Sequence, residues 1–345
     1  MSMMKRVNIL PDGDLVLAVS GSLELRTSTV VLGNASPVFK AMLGPKFAEG
    51  QALQGDYVGI PHTVTLPDND PEAMQSLCLI LQCGAIAPSS SVPAELMVKT
   101  TLLADKYDCI DAIKRSAALW AANIDAEKLD LYTVAALSEA AFLLDDTSLF
   151  AKYTKEVVLN VTKSSVDELR QVEGCRLEII DAVAEVAKDA LEKIIFRIAS
   201  FVSDTSCYLQ DRINTQGYEE DHEDADEHCG YDEDHEEDAD EHDGYDVQQE
   251  VEGAWLRALD WAQLWPEELQ PDNLRQLLGN VRSFSVPVSM LSSTCSCDEA
   301  TSARIIEHLR RETDALKRGI AKVPTAVYLG SLKDTDDSSQ TDCGE

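Results

Sequence analysis

The stretch Asn34-Ala35-Ser36-Pro37-Val38-Phe39-Lys40-Ala41-Met42-Leu43 constrains the fold most, because it marks where a short helix begins. Ser36 is placed to cap a helix whose first residue is Pro37, a position where the missing amide has no helical partner to lose. Val38, Phe39 and Met42 then share one apolar face, so the segment reads as a short core helix. Phe47-Ala48-Glu49 follows it closely.

The flanks carry further signals. From Val7 the chain runs through a Pro11-Asp12-Gly13 turn to two apolar runs, Leu15 to Val19 and Leu23 to Thr27, separated by Ser20-Gly21-Ser22. This pattern predicts a hairpin. Val64-Thr65-Leu66-Pro67 supplies another strand. Asp70 precedes Pro71 as a cap, and Met74, Leu77, Cys78 and Leu81 recur at helical spacing until Gly84. Beyond the Pro88 to Pro93 loop, Leu96 to Ala104 reads as a helix ending in Leu103-Ala104-Asp105-Lys106-Tyr107-Asp108. Asp108 is expected to cap a last helix bearing Ile110, Ile113, Ala117 and Trp120. Phe39, Met42, Leu77, Leu81 and Leu103 are the expected core of an antiparallel-led small sheet packed by helices.

In this order, the hairpin, the Ser-Pro-Val-Phe helix, the strand, the capped helix and the Leu-Ala-Asp-Lys-Tyr-Asp phrase resemble a BTB (POZ) domain over Val7 to Asn123, about a third of the chain. Many members carry a His before the opening helix. This chain has Arg26-Thr27-Ser28-Thr29 there, as fungal-type members often do. The resemblance implies a protein-interaction module and a homo-oligomer through this domain. The segment before the first strand is very short, which weakens the case for the exchanged N-terminal elements through which animal members dimerise. Phe47-Ala48-Glu49 matches the family's hydrophobic-x-Glu triplet, which helps dock cullin scaffolds in members serving as substrate adaptors of ubiquitin ligases. Phe47 and Glu49 are therefore the candidate partner-binding residues. The alternative is that Phe47 packs into the domain and Glu49 caps or solvates a loop.

The rest reads as helix. Amphipathic spacing runs through 126–203, with Val134, Leu137, Leu144, Val157, Val161, Leu177, Ile180, Val183, Ile194 and Ile198 on apolar faces. It resumes over 252–320. The fold class is thus α+β, a small sheet packed by helices followed by a mostly helical region. An insert at 204–251 interrupts that region. Its core, Tyr218 to Asp246, repeats a Tyr/Asp/Glu/His unit without Lys or Arg, and such a run is expected to be disordered. The tail 321–345, rich in Asp, Ser and Thr from Asp334, is expected to be disordered as well.

Charge narrows the partners. The 345 residues include 62 acidic and 29 basic side chains, a net charge of -33, which repels nucleic-acid phosphate and anionic lipid. No run reaches the length of a membrane span, and the apolar stretch after Met1-Ser2-Met3-Met4-Lys5-Arg6 is too brief for a signal peptide. Cytoplasm or nucleus is the expected compartment, where nine scattered cysteines stay reduced and the sequons at Asn34 and Asn160 mean little.

No phosphate-cradling glycine loop, nucleophile elbow or paired-His metal helix occurs, so neither catalytic residues nor a cofactor is expected. Asp14 and Asp105 read as structural, one at a turn and one near a helix end. Cys78, Cys83, Cys109 and Cys175 read as small apolar residues. Cys295-Ser296-Cys297 could share a zinc ion with Cys207 and His308, although this spacing is looser than a paired Cys-x-x-Cys signature. His222, His228, His235 and His242 in the acidic repeat could bind divalent metal weakly, against the simpler reading of a solvated charge run. Three functions follow. The first is an interaction module, in particular a cullin adaptor whose helical region stabilises it or recruits a client. The others are a regulatory scaffold without that role, and a metal-buffering protein.

Overall fold

The computed structural model describes residues 4–53, 61–83, 92–172, 175–216, 253–260, 262–264, 273–286, 299–330 and 332. The sheet is built around the expected hairpin. Strands β2 (Leu15–Val19) and β3 (Leu23–Thr27) alternate buried and half-buried residues, so Leu15, Leu17, Val19, Leu23 and Leu25 all face the core. Ser20 and Gly21 both take positive φ, 47° and 64°, the tight turn whose twist matches that of paired strands. The Ser20 hydroxyl donates to the carbonyls of Pro67 and Asn69, which offsets the strain of a non-glycine residue there.

Two further strands flank the hairpin in the order β1-β3-β2-β4. Strand β1 (Lys5–Asn8) was not expected as a strand, since its pattern is almost wholly exposed. Both β1 on β3 and β4 (His62–Leu66) on β2 are parallel, so only the central pair is antiparallel.

Helices α1 (Thr29–Ala35), α2 (Pro37–Met42), α3 (Ala48–Leu53), α4 (Pro71–Cys83), α5 (Ala94–Lys106) and α6 (Ile110–Ala121) complete this half. Asp70 caps α4 as expected, accepting the Ala73 amide at 3.0 Å. Asp108 does not cap α6, which carries no side-chain cap bond. It sits at φ 48° as the residue that closes α5, with its amide on the Asp105 carbonyl and that of Cys109 on the Ala104 carbonyl. Asp145 stops a later helix in the same way at φ 55°.

Phe39, Leu77 and Leu103 are buried as expected, whereas Met42 and Leu81 are only half-buried. Helix α2 is six residues long, so Met42 lies on its frayed last turn. On α4, Ala73, Met74, Leu77, Cys78 and Ile80 fill the inward face and leave Leu81 at its shoulder. Val38, about 100° around the helix from Phe39, points to solvent.

After a 3-10 turn at Ala126–Lys128 come α7 (Leu131–Leu143), α8 (Thr147–Asn160), α9 (Lys163–Leu169) and α10 (Leu177–Gln216). Helix α7 is buried on most sides because it packs against both α5 and α8. The chain divides into two compact units, 1–185 with 326–345, and 186–325. The division falls inside α10, not at 123–126 where the pattern change pointed. Most of the expected helical core of 126–203 is buried, but Leu177 is 53% exposed on the first turn of α10.

The second unit holds the later part of α10 with α11 (253–260), α12 (Leu274–Ser283) and α13 (Glu299–Ile320). At its centre Phe201, Trp255 and Phe284 meet edge to face, with ring centroids 5.9 to 6.3 Å apart. Two expectations of disorder are corrected in part. Residues 204–216 continue α10, burying Thr205 and Leu209, because their apolar positions keep its helical spacing. In the expected tail, Val323, Val327 and Leu329 are buried, and the Val327 amide donates to the Thr154 hydroxyl of α8. The acidic repeat and residues 333–345 lie outside the described residues.

Candidate functional site

The presentation of Phe47 begins at Ser36. Its hydroxyl accepts the Phe39 amide at 3.0 Å and donates to the Tyr107 carbonyl, so one side chain both caps α2 and ties it to the end of α5. The Tyr107 ring stacks flat on Phe39, with centroids 4.2 Å apart and planes 1° from parallel. Asn69 closes the network. It donates to the Tyr107 hydroxyl at 2.7 Å and accepts from Lys106 at 2.7 Å. This buried, satisfied set holds α2 in one orientation.

With Phe39 inward, the chain leaving α2 turns at Gly44, whose amide returns to the Ala41 carbonyl at 3.0 Å. Helix α3 then crosses that turn so closely that a Cβ on Gly50 would lie 1.8 Å from the Gly44 carbonyl oxygen. Only glycine allows this approach. Phe47 sits at the apex between the two helices, its carbonyl accepting the Gln51 amide at 2.9 Å. Its ring is 50% exposed. The reading that buried Phe47 in the domain is therefore set aside, because the Gly44–Gly50 crossing keeps the apex off the core. Glu49, half-buried in the first turn of α3, is placed where helix amides favour a carboxylate.

Asp14 is structural, accepting both the amide and the hydroxyl of Thr29 at the start of α1. Burial works against its charge, yet the two Thr29 bonds outweigh this and lower its carboxyl. Asp105 is exposed. Burial pushes the Cys78 thiol up to about 12 and the Cys109 thiol up to about 11, which suits inert core residues. Cys175 is half-buried, and nothing is described of the Cys83 side chain.

Of the zinc candidates, Cys207 is exposed on α10, and His308 on α13 stacks on Tyr208 with centroids 3.6 Å apart. The Arg311 guanidinium lies 3.1 Å from the His308 Nδ1. Cys295, Cys297 and the four repeat histidines lie outside the described residues. Among the described residues, no three His, Cys, Asp or Glu side chains gather as for a metal ion, and no helix is long and apolar enough to cross a membrane.

Sequence reasoning missed Glu139, which is buried on α7. It accepts from the Arg176 backbone at 3.1 Å and from its guanidinium at 2.8 Å. Burial raises its carboxyl while Arg176 opposes the rise. The cavity beside it measures about 10 Å³, no more than one water needs, so it is a packing defect and not a ligand site. The exposed Phe47 with Glu49 remains the candidate site of the first unit. No family model matches this chain, and neither does any curated protein or solved structure.

Proposed function

We propose that the chain is a protein-interaction module of the fungal BTB/POZ type that acts as a substrate adaptor, docking a cullin scaffold through Phe47 and Glu49 while its helical region recruits a client. The observation that carries this reading is the half-exposed Phe47 ring, held clear of the core by the Gly44–Gly50 crossing, with Glu49 two residues on. An aromatic presented on a rigid turn loses little conformational freedom on binding, as interface anchors require.

The test is capture of a cullin by the full chain and by the double variant Phe47→Ala, Glu49→Ala. Capture should be lost in the variant while its melting temperature stays close to that of the parent, because an exposed ring contributes little to the isolated fold. A folded double variant that still captures cullin would remove these residues from the site. A parent chain that captures none would leave a regulatory scaffold without a ligase role.

A further inference from the structure

A short strap follows α13 and is seated on α8. Helix α13 ends at Ile320, and residues 324–328 belong to no helix or strand. Val327 and Leu329 are only 2% and 4% exposed, whereas Tyr328 between them is 70% exposed. Alternate residues therefore face in and out, as in a peptide lying along a surface with its anchors two positions apart. The polar contact is Thr154 of α8, itself fully buried. Its hydroxyl accepts the Val327 amide at 3.3 Å and lies 3.5 Å from the Val327 carbonyl oxygen.

We propose that this strap is an internal ligand, and that the surface of α8 at Thr154 is a docking site for a short segment of a protein partner with two aliphatic residues two positions apart. The chemistry of the occupant is that of the segment the site already holds, Val327-Tyr328-Leu329. Departure of the strap orphans no polar group in the site. The Thr154 hydroxyl donates to the Phe150 carbonyl of its own helix at 2.7 Å, a shorter contact than either one with the strap, so it keeps a partner when the strap leaves. A released Val327 amide passes to water, since exposed Pro324 and Tyr328 already place the strap at the surface. Two aliphatic anchors and one shared hydroxyl thus hold a segment that a like segment can replace. This inference rests on the reading of the helical region as the client-recruiting part, and it names the kind of client segment bound there.

The probe is a labelled synthetic peptide with the sequence of residues 325–332, and its binding to the full chain is followed by fluorescence anisotropy. In the parent the tethered strap competes at an effective concentration of about millimolar. The opened variant Val327→Asp, Leu329→Asp should therefore bind the peptide at least about tenfold more tightly than the parent does. A peptide with Asp at both anchor positions should not bind, and Thr154→Val in the opened chain should weaken the unaltered peptide by about threefold or more. Where circular dichroism shows the Asp variant unfolded, Val327→Ala with Leu329→Ala takes its place. A folded opened chain that binds no more tightly than the parent would overturn the proposal, as would binding indifferent to the anchors or to Thr154. Loss of fold in both opened variants would overturn it too, because the strap would then be part of the core. Cullin capture is scored separately, and adding Phe47→Ala, Glu49→Ala to the opened chain should leave peptide binding as it was. Failure of the cullin site and failure of this one are thus separate results.

Discussion

In each unit a phenylalanine of the core has another, a short distance along the chain, in solvent. In the first unit these are Phe39 and Phe47, and in the second Phe201 and Phe196. The two buried rings are held differently. Phe39 is stacked under Tyr107 within a polar network in which Ser36 donates to the Tyr107 carbonyl, and Asn69 donates to the Tyr107 hydroxyl and accepts from Lys106. Phe201 packs edge to face against Trp255 and Phe284, and the buried indole nitrogen of Trp255 beside it has no hydrogen-bond partner among the described residues. Satisfied polar groups specify one arrangement, whereas edge-to-face rings tolerate small shifts. The first unit should therefore respond sharply to a change in its network, and the second more softly.

The largest effect is expected at Phe39. Phe39→Ala should lower unfolding free energy by about 3 to 5 kcal/mol in urea titrations, since the ring is fully buried and its stacking partner cannot follow it. A loss under about 1 kcal/mol would mean that the site collapses freely and would erase the contrast. Ser36→Ala comes next. It removes the α2 cap and leaves the Tyr107 carbonyl without its donor, a cost of about 1 to 3 kcal/mol. Ser36→Thr, which keeps the hydroxyl, should recover part of it.

In the second unit, Trp255→Phe should cost less than about 1.5 kcal/mol, because losing a buried, unpartnered N–H offsets the smaller ring. A larger loss would show that the indole nitrogen has a partner in solution. The smallest effect is in acid. Asp14 and Asp70 have lowered carboxyls in the fold, burial being outweighed by Thr29 at the first and by Ala73 and Lys99 at the second. A group with a lowered folded pKa adds stability above its unfolded value and loses it as pH falls through the folded one. Stability should thus decline below about pH 4, and Asp14→Asn with Asp70→Asn should flatten that decline. An unchanged slope in thermal midpoints against pH would locate the acid sensitivity elsewhere.

How far each element was legible depended on the range of the forces that fix it. The Ser20–Gly21 turn, the Ser36 and Asp70 caps and most helical spans are set by neighbours within four residues, so their residue pattern carried them. Strand β1 was missed because it is exposed on nearly every residue and is held by register with β3, a partner beyond the hairpin turn. Asp108 reads as a cap on identity alone, but the need to close α5 placed it in the left-handed region. Val327 looked like tail until its amide met Thr154, 173 positions away.

The amino-acid sequence by itself determined the α+β class, the punctuation of the first helices, the acidic balance of the chain and the identity of the Phe47/Glu49 pair. The apolar face of α2 already pointed Phe39 inward, but tertiary structure alone decided that Phe47 is not buried. That outcome depends on the Tyr107 stack and on a backbone crossing at Gly50, contacts between distant segments that no local pattern encodes.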